Sequence, residues 1–380
     1  MKHRIRRPAA LVAAVAAALV VVAVAAGFST SSSSSDKLIS NGAKLAVAQI
    51  NAKGGIGGKV KIKMNLQDTK SDPSASVQVA NYFIHKHVNV MVLPCNTDYQ
   101  VAMAAVAHRA HQLMLSPCNG DPTVGNRTPE YWALGMGGNA QMAQLANYAR
   151  LRKLKRVYVL DSNFLYLHLM AKYFKKAAPS RGISIIGTDN IPFGATGFPS
   201  DFAAQVQKIK NVHPAPQAIM TGLFSPFVDT FAKQLRAAGL KMPIIGSDGM
   251  DTTLNLTAGG SAVNGNGFTT FGYPNKGSAT ARFYAQFKRK FGASPDGSYP
   301  ALGYDAIKTI EAAVLKAQST KPSKLAAAFR SGLTIRGALG VSRFLGHNNH
   351  NAVAPVAVDQ IRNGKFVLVM KSVPKNVPRP

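Results

Sequence analysis

A chain of 380 residues exceeds the roughly 250 to 300 at which single hydrophobic cores stop growing, so two lobes are expected rather than one. Lys and Arg number 45 against 16 Asp and Glu, a formal charge of +29, which admits nucleic acid, an anionic envelope surface or plain solubility. The basic residues are spread thinly over Lys59/Lys61/Lys63, Arg150 to Arg156, Lys172 to Lys176 and Arg282 to Lys290, which argues against nucleic acid and leaves anionic envelope polymers as a non-specific partner. The last cluster, RFYAQFKRK, interleaves aromatics, but Phe283, Phe287 and Phe291 fall on one helix face with the charges elsewhere.

Met1 to Arg7 is basic, Pro8 to Ala26 is apolar, and Ala23-Val24-Ala25 offers a small-x-small cleavage site before Gly27 and the serine run Ser31 to Ser35, the layout of a Sec-type signal. The apolar run is also near spanning length, so residues 1–26 read as a signal peptide or an uncleaved anchor, with 27–36 a Ser-rich linker. Ile39, Ala43, Ala46 and Ile50 then recur on one helix face, with Gly54-Gly55 as the stop. Val60, Ile62, Met64 and Leu66 alternate with Lys59, Lys61, Lys63 and Asn65 as on a half-buried strand. Pro73 opens a helix, and Val88 to Leu93 is an unbroken apolar strand of the kind parallel sheets bury.

Farther on, Tyr99 to His111 reads as a helix, Leu113 to Leu115 as a strand, Thr123 to Arg127 as a loop and Tyr131 to Leu134 as extended. Gln141 to Leu151 is helical, Val157 to Leu160 a strand, Leu165 to Ala178 a helix and Ile183 to Gly187 a strand. The helix Phe202 to Lys210 leads to the strand Ala218 to Thr221, the helix Phe227 to Ala238 and a strand at Ile244-Ile245. Phe268 to Tyr273 reads as a crossover. Ala279 to Phe291, Gly303 to Ala317 and Leu325 to Arg330 are helices, and Val353 to Val358 with Lys365 to Met370 closes as a hairpin around Asn363-Gly364. Alternating strands and helices imply an α/β fold. The glycine-rich stretch Gly135 to Asn139 lacks the spacing of a phosphate-binding loop.

The phrase NGAKLAVAQINAKGGIGGKVK from Asn41, the D-x-x-S-D-P at Asp68 to Pro73 and YDAI at Tyr304 to Ile307 resemble the substrate-binding proteins of branched-chain amino acid ABC transporters, the type I periplasmic-binding-protein fold. The resemblance covers about Asp36 to Met370. It implies two doubly wound (Rossmann-like) α/β lobes with parallel sheets, joined by three crossovers with a ligand cleft between. The implied division is 37–136 for the first part of lobe 1, 137–270 for lobe 2, 271–345 for the return to lobe 1, 346–372 for a closing hairpin on lobe 2 and 373–380 for a tail. Measured back from Asn41, the family's first strand falls on about Leu19 to Ala26, inside the signal or anchor segment, and no such strand follows the serine run.

Such lobes bind at the carboxyl ends of their strands. By resemblance, the loops after the strands at 88–93 and 113–115 hold the ligand's α-carboxylate through Asn96, Thr97, Cys118, Asn119 and Gly120, where Gly120 replaces a common threonine. Asp248 falls where the family places the acid that pairs with the α-ammonium. Phe224 and either Phe164 or Tyr166 lie near the pocket's aromatic wall. Cys95 and Cys118 end neighbouring strands in matching register, which suits a disulfide outside the cytoplasm; two buried thiols, or a catalytic or metal role, are the alternatives. His108/His111 and His347/His350 lack a third metal ligand in sequence and read as surface or capping residues.

The expectation is therefore an extracytoplasmic receptor for an amino acid or amino-acid-like ligand, handing it to an ABC permease by hinge closure. It needs no cofactor, metal or catalytic residue and is not an enzyme. A membrane-anchored ligand-sensing ectodomain of the same fold is the alternative.

Overall fold

The computed structural model describes residues 19–26, 35–194, 197–347 and 349–380. Beyond its first residue, β1 (Leu19–Ala26) is built of valine and alanine alone, and β-branched side chains suit a strand covered on both faces. Val20, Val22 and Val24 enter one core cluster while Ala23, with Val21 at its margin, enters another. Helix α1 (Ser35–Ala52) ends where Gly54 and Gly55 take φ of +92° and +99°. Strand β2 (Lys61–Asp68) runs parallel to β1 along its whole length. Helix α2 (Pro73–His85) starts at a proline, and the Asp72 carboxylate caps it by accepting the Ala75 N–H at 2.7 Å. Strand β3 (Val90–Val92) pairs with the other side of β1. After α3 (Thr97–Arg109), β4 (Met114–Ser116), α4 (Val124–Arg127) and β5 (Tyr131–Ala133), the first sheet is complete in the order β2-β1-β3-β4-β5, all parallel.

Two sequence readings change here. Residues 19–26 are an interior strand of this sheet, between β2 and β3, so Ala23-Val24-Ala25 lies within a paired strand rather than in an exposed cleavage segment; residues 1–18 and 27–34 are outside the described residues. The stretch 123–127, expected as a loop, contains the single turn of α4. There the Asp121 carboxylate accepts both the Thr123 N–H at 2.9 Å and its hydroxyl at 2.7 Å, which tightens the chain into a turn.

The second sheet takes its strands from the middle and the end of the chain. In chain order come α5 (Gly138–Leu151), β6 (Arg156–Ser162), α6 (Leu165–Ala177), β7 (Ser184–Ile191), α7 (Ala203–Lys210), β8 (Ala218–Thr221), α8 (Phe227–Ala237), β9 (Ile244–Gly246), α9 (Thr253–Gly259) and β10 (Gly267–Thr270). Residues 267–270 are thus a strand of this sheet, and the passage back to the first lobe begins after them. Helices α10 (Ala279–Phe291), α11 (Tyr299–Ala317) and α12 (Pro322–Arg330) follow, with an unanticipated hairpin of β11 (Leu333–Gly337) and β12 (Gly340–Phe344). Finally β13 (Val356–Arg362) joins antiparallel to β10 and β14 (Lys365–Ser372) antiparallel to β13, giving the order β14-β13-β10-β9-β8-β6-β7.

Ile307 and Ile310 of α11, Phe329 of α12 and Phe344 of β12 share one core cluster with Val20, Val22 and Val24. The chain therefore returns to the first sheet between its two contributions to the second. Helices α1 and α11 meet at two glycines: a Cβ on Gly42 would lie 1.7 Å from the Pro300 carbonyl oxygen, and one on Gly303 1.8 Å from that of Ile39. Only hydrogen at both positions permits so close a crossing. Among the described residues no helix is long and apolar enough to cross a membrane.

Candidate functional site

In the first lobe the loops after β3 and β4 are held as one body. A disulfide joins Cys95 to Cys118 with their Cα atoms 5.0 Å apart. Gln100 of α3 donates to the Pro94 carbonyl at 3.0 Å and to the Ser116 hydroxyl at 2.6 Å, and the Tyr131 hydroxyl donates to its Oε1 at 2.7 Å. The Cys95 N–H donates to Asp36 Oδ1 at 2.6 Å, which ties this body to the start of α1. The Asn96 side chain is committed to capping α3, accepting the N–H groups of Asp98 at 3.0 Å and Tyr99 at 3.4 Å. Asn119 Nδ2 donates to Asn351 Oδ1 at 2.7 Å, while its buried Oδ1 has no hydrogen-bond partner among the described residues. A Cβ on Gly120 would sit 2.2 Å from Thr97 Oγ1 and 3.3 Å from Tyr166 Cδ2. Thr97 therefore occupies the space a threonine at 120 would need, and a second-lobe tyrosine lies against Gly120.

In the second lobe β9 delivers Asp248, which is only 5% exposed. Its Oδ1 accepts the Tyr166 hydroxyl at 2.6 Å and its Oδ2 the Tyr299 hydroxyl at 2.9 Å. Its backbone N–H donates to Gln141 Oε1, 3.2 Å away, which also accepts the Thr269 hydroxyl at 2.7 Å. No lysine or arginine among the described residues pairs with Asp248. Burial accordingly raises its carboxyl above the usual carboxylate range, with the two phenols and Gln141 pulling back. Burial, and after it the charge of Asp248, pushes both tyrosines well above the ordinary phenol value. One step farther along, the Asp251 carboxyl accepts the Thr270 hydroxyl at 2.6 Å and the Ser298 N–H at 3.0 Å, and burial raises it to about 6. It thereby anchors the start of α11, and so Tyr299, to the end of β9.

Of the two aromatic candidates after β6, Tyr166 reaches Asp248. Phe164 turns into a cluster with Phe193 (ring centroids 4.6 Å), Phe198 (5.6 Å) and Phe224 (6.4 Å), which Phe227 extends at 5.6 Å from Phe224. This cluster adjoins the acid, since a Cβ on Gly249 would lie 2.7 Å from Phe224 Cβ.

The site thus gathers Thr97, Gly120, Tyr166 and Asp248 from the sequence candidates, while Asn96 serves its own helix. Tyr299, Gln141 and Thr269 were missed. The only local trace of Tyr299 is Ser298-Tyr299-Pro300, a helix start with proline in its first turn. A cavity of about 480 Å³ near Arg150, Arg181 and Lys375 lies at the other end of α5 from Gln141. There Arg181 spends its donors on Asn147, Ser180 and the carbonyls of Ala177, Lys375 and Asn376, so the cavity marks where the C-terminal tail docks.

His108 and His111 keep their surface reading, with side chains 41% and 83% exposed, whereas His350 departs from it. His108 and His111 share the Glu130 carboxylate at 2.7 and 3.0 Å. His350 is buried, bonded through Nδ1 to the Tyr131 carbonyl oxygen at 2.8 Å and tilted against Trp132 with ring centroids 4.4 Å apart; burial lowers its basicity. No group of three His, Cys, Asp or Glu among the described residues is placed to hold a metal.

The sequence matches the family model described as periplasmic binding protein over residues 20–365. It is 27% identical over 305 residues to Leu/Ile/Val-binding protein homolog 3 of Brucella melitensis, covering 80% of each chain. Its structure resembles the leucine binding protein LivK of Thermotoga maritima, with a TM-score of 0.82 at 23% identity over 94% of this chain and 99% of that one. It also resembles an ABC transporter solute binding protein of Rhodopseudomonas palustris crystallised with 3,4-dihydroxybenzoic acid, with a TM-score of 0.81 at 22% identity over 95% and 99%.

Proposed function

The chain belongs to the periplasmic binding protein family, made up of extracytoplasmic solute-binding proteins rather than enzymes, and from that premise we propose that it captures an amino acid or a similar small ammonium compound and hands it to an ABC transporter permease. The observation that carries this reading is the Asp248 carboxylate, buried at the end of β9 with hydroxyl and amide partners but no cation. A buried carboxylate of this kind gains most from a ligand ammonium, which supplies a charge-assisted hydrogen bond and restores the ionised state that burial disfavours. A carboxylate on the same ligand would face the Thr97 hydroxyl and the backbone N–H groups of the disulfide-linked loops.

Tyr166 lies against Gly120 of the first lobe while bonding Asp248 of the second, so entry of a ligand requires the lobes to part and this tyrosine to yield. Hinge opening and closure about the three crossovers supplies that motion. The test is a thermal-shift screen of amino acids, since a ligand that binds only the native state raises the melting temperature by mass action. A hit that disappears in Asp248→Ala supports the proposal; a hit that Asp248→Ala leaves intact overturns the role of Asp248.

An aromatic carboxylate is the second reading. The phenylalanine cluster beside Asp248 favours it, as does the relative crystallised with 3,4-dihydroxybenzoic acid. Including benzoates in the same screen separates the two, because only an ammonium ligand depends on ionised Asp248.

A further inference from the structure

The apolar stretch Pro8 to Ala26 cannot serve in full as a leader or as an anchor, because its second part is structural. β1 is paired along its length with β2, from Leu19 opposite Lys61 to Ala26 opposite Asp68, and with β3 through Val22, Ala23 and Val24. Val20, Val22, Ala23 and Val24 are 0% exposed. The Val21 N–H donates to Asn89 Oδ1 at 2.7 Å, and its carbonyl accepts the Asn89 N–H at 2.9 Å. Cutting after Ala25 would remove nearly all of this strand from between β2 and β3. It would leave the facing backbone groups of β2 and β3 unpaired inside two core clusters, each a costly loss.

With Leu19 to Ala26 committed to the sheet, the apolar residues left over are Pro8 to Ala18, about 11 against the ~20 a spanning helix needs, so a folded chain is not held in a bilayer by this segment. What precedes Leu19 still has the composition of a secretory leader. Lys2, Arg4, Arg6 and Arg7 supply the basic region, Pro8 to Val15 the apolar region, and Ala16-Ala17-Ala18 a small-x-small triplet, the last one before the strand. Leu19 itself is 45% exposed, at an end of β1 where a new terminus can be solvated.

We propose that the exported chain is cut between Ala18 and Leu19, so that the mature protein opens directly with the interior strand β1. The step is hydrolysis of that one amide by water in the peptidase of the export machinery: the Ala18 carbonyl carbon leaves as a carboxylate and the Leu19 nitrogen becomes the α-ammonium. The proposal rests on the extracytoplasmic reading but not on the identity of the ligand.

The test is intact mass and N-terminal sequencing of the full chain, carrying a C-terminal tag, recovered from the extracytoplasmic fraction of a secreting bacterial host. The expected terminus is Leu19 in a protein that melts cooperatively, and Ala18→Gln, which puts a bulky residue at the cut, should accumulate the full-length precursor. A cooperatively folded product beginning at Ala26 or Gly27 overturns the proposal alone. An exported product retaining Met1 overturns it as well, whereas an unprocessed chain confined to the cytoplasm overturns the extracytoplasmic reading too.

Discussion

Replacing Asp359 by asparagine should stabilise the protein, and by more at neutral than at acid pH. Asp359 lies in β13, is 2% exposed, and its Oδ1 has no hydrogen-bond partner among the described residues. Burial raises its carboxyl to about 8, with the nearby Asp251 adding to the rise and Lys371 opposing it. The ordinary value is 3.8, so between these limits the native protein keeps a proton that the unfolded chain has released. Unfolding then releases a proton, and stability falls as pH rises, by about 1.4 kcal/mol for each unit. From pH 5 to pH 7.5 this one group costs the native state about 3 kcal/mol. Asparagine has the shape of the protonated acid and does not ionise, so the advantage of Asp359→Asn over the parent should grow by about 3 kcal/mol across that interval. Guanidinium unfolding of both proteins at the two pH values measures the difference through the midpoints and slopes. An advantage that is the same at both pH values, or absent at pH 7.5, refutes the reasoning.

Gly303→Ala should lower stability by about 3 kcal/mol or more, because the added methyl meets backbone rather than a movable side chain; a midpoint in urea close to the parent's would show that α1 and α11 separate at little cost. Reducing the Cys95–Cys118 bond, which spans a separation of 23 residues, should cost about 3.5 kcal/mol on loop entropy, read from melts with and without reductant and from the Cys95→Ser/Cys118→Ser double variant. Tyr299→Phe leaves Asp248 Oδ2 without its phenol donor and should cost about 1 to 3 kcal/mol at neutral pH. Denaturant melts of the variant and the parent test that.

Much of the fold was legible because it is written in short-range patterns. The three- and four-residue spacing of Ile39, Ala43, Ala46 and Ile50 marks α1, the alternation from Val60 to Leu66 marks β2, and the Asn363-Gly364 turn marks the last hairpin, here joining β13 to β14. The family phrase at Asn41 carried the two-lobe arrangement. Asp248 was legible in the same way, by its place after a strand in a recognisable run. The hairpin at 333–344 was not, because its alternation is short and its stability comes from packing Leu333, Ile335 and Phe344 onto the cluster of the first sheet.

What the tertiary structure decided is whatever depends on partners far apart in the chain. An apolar run such as Leu19 to Ala26 satisfies a leader, an anchor and a buried strand equally well; only the hydrogen-bonding edges of β2 and β3, more than thirty residues away, select the strand. Tyr299 carries no local mark of function and becomes a site residue when α11 brings its hydroxyl to Asp248, 51 positions earlier in the sequence. The raised carboxyls of Asp248, Asp251 and Asp359 likewise follow from burial, a property of the folded surroundings. Local sequence determines which segments become helix or strand, since that depends on side-chain periodicity. The pairing of segments, and so the electrostatics of the site, is decided where distant segments exclude water from one another.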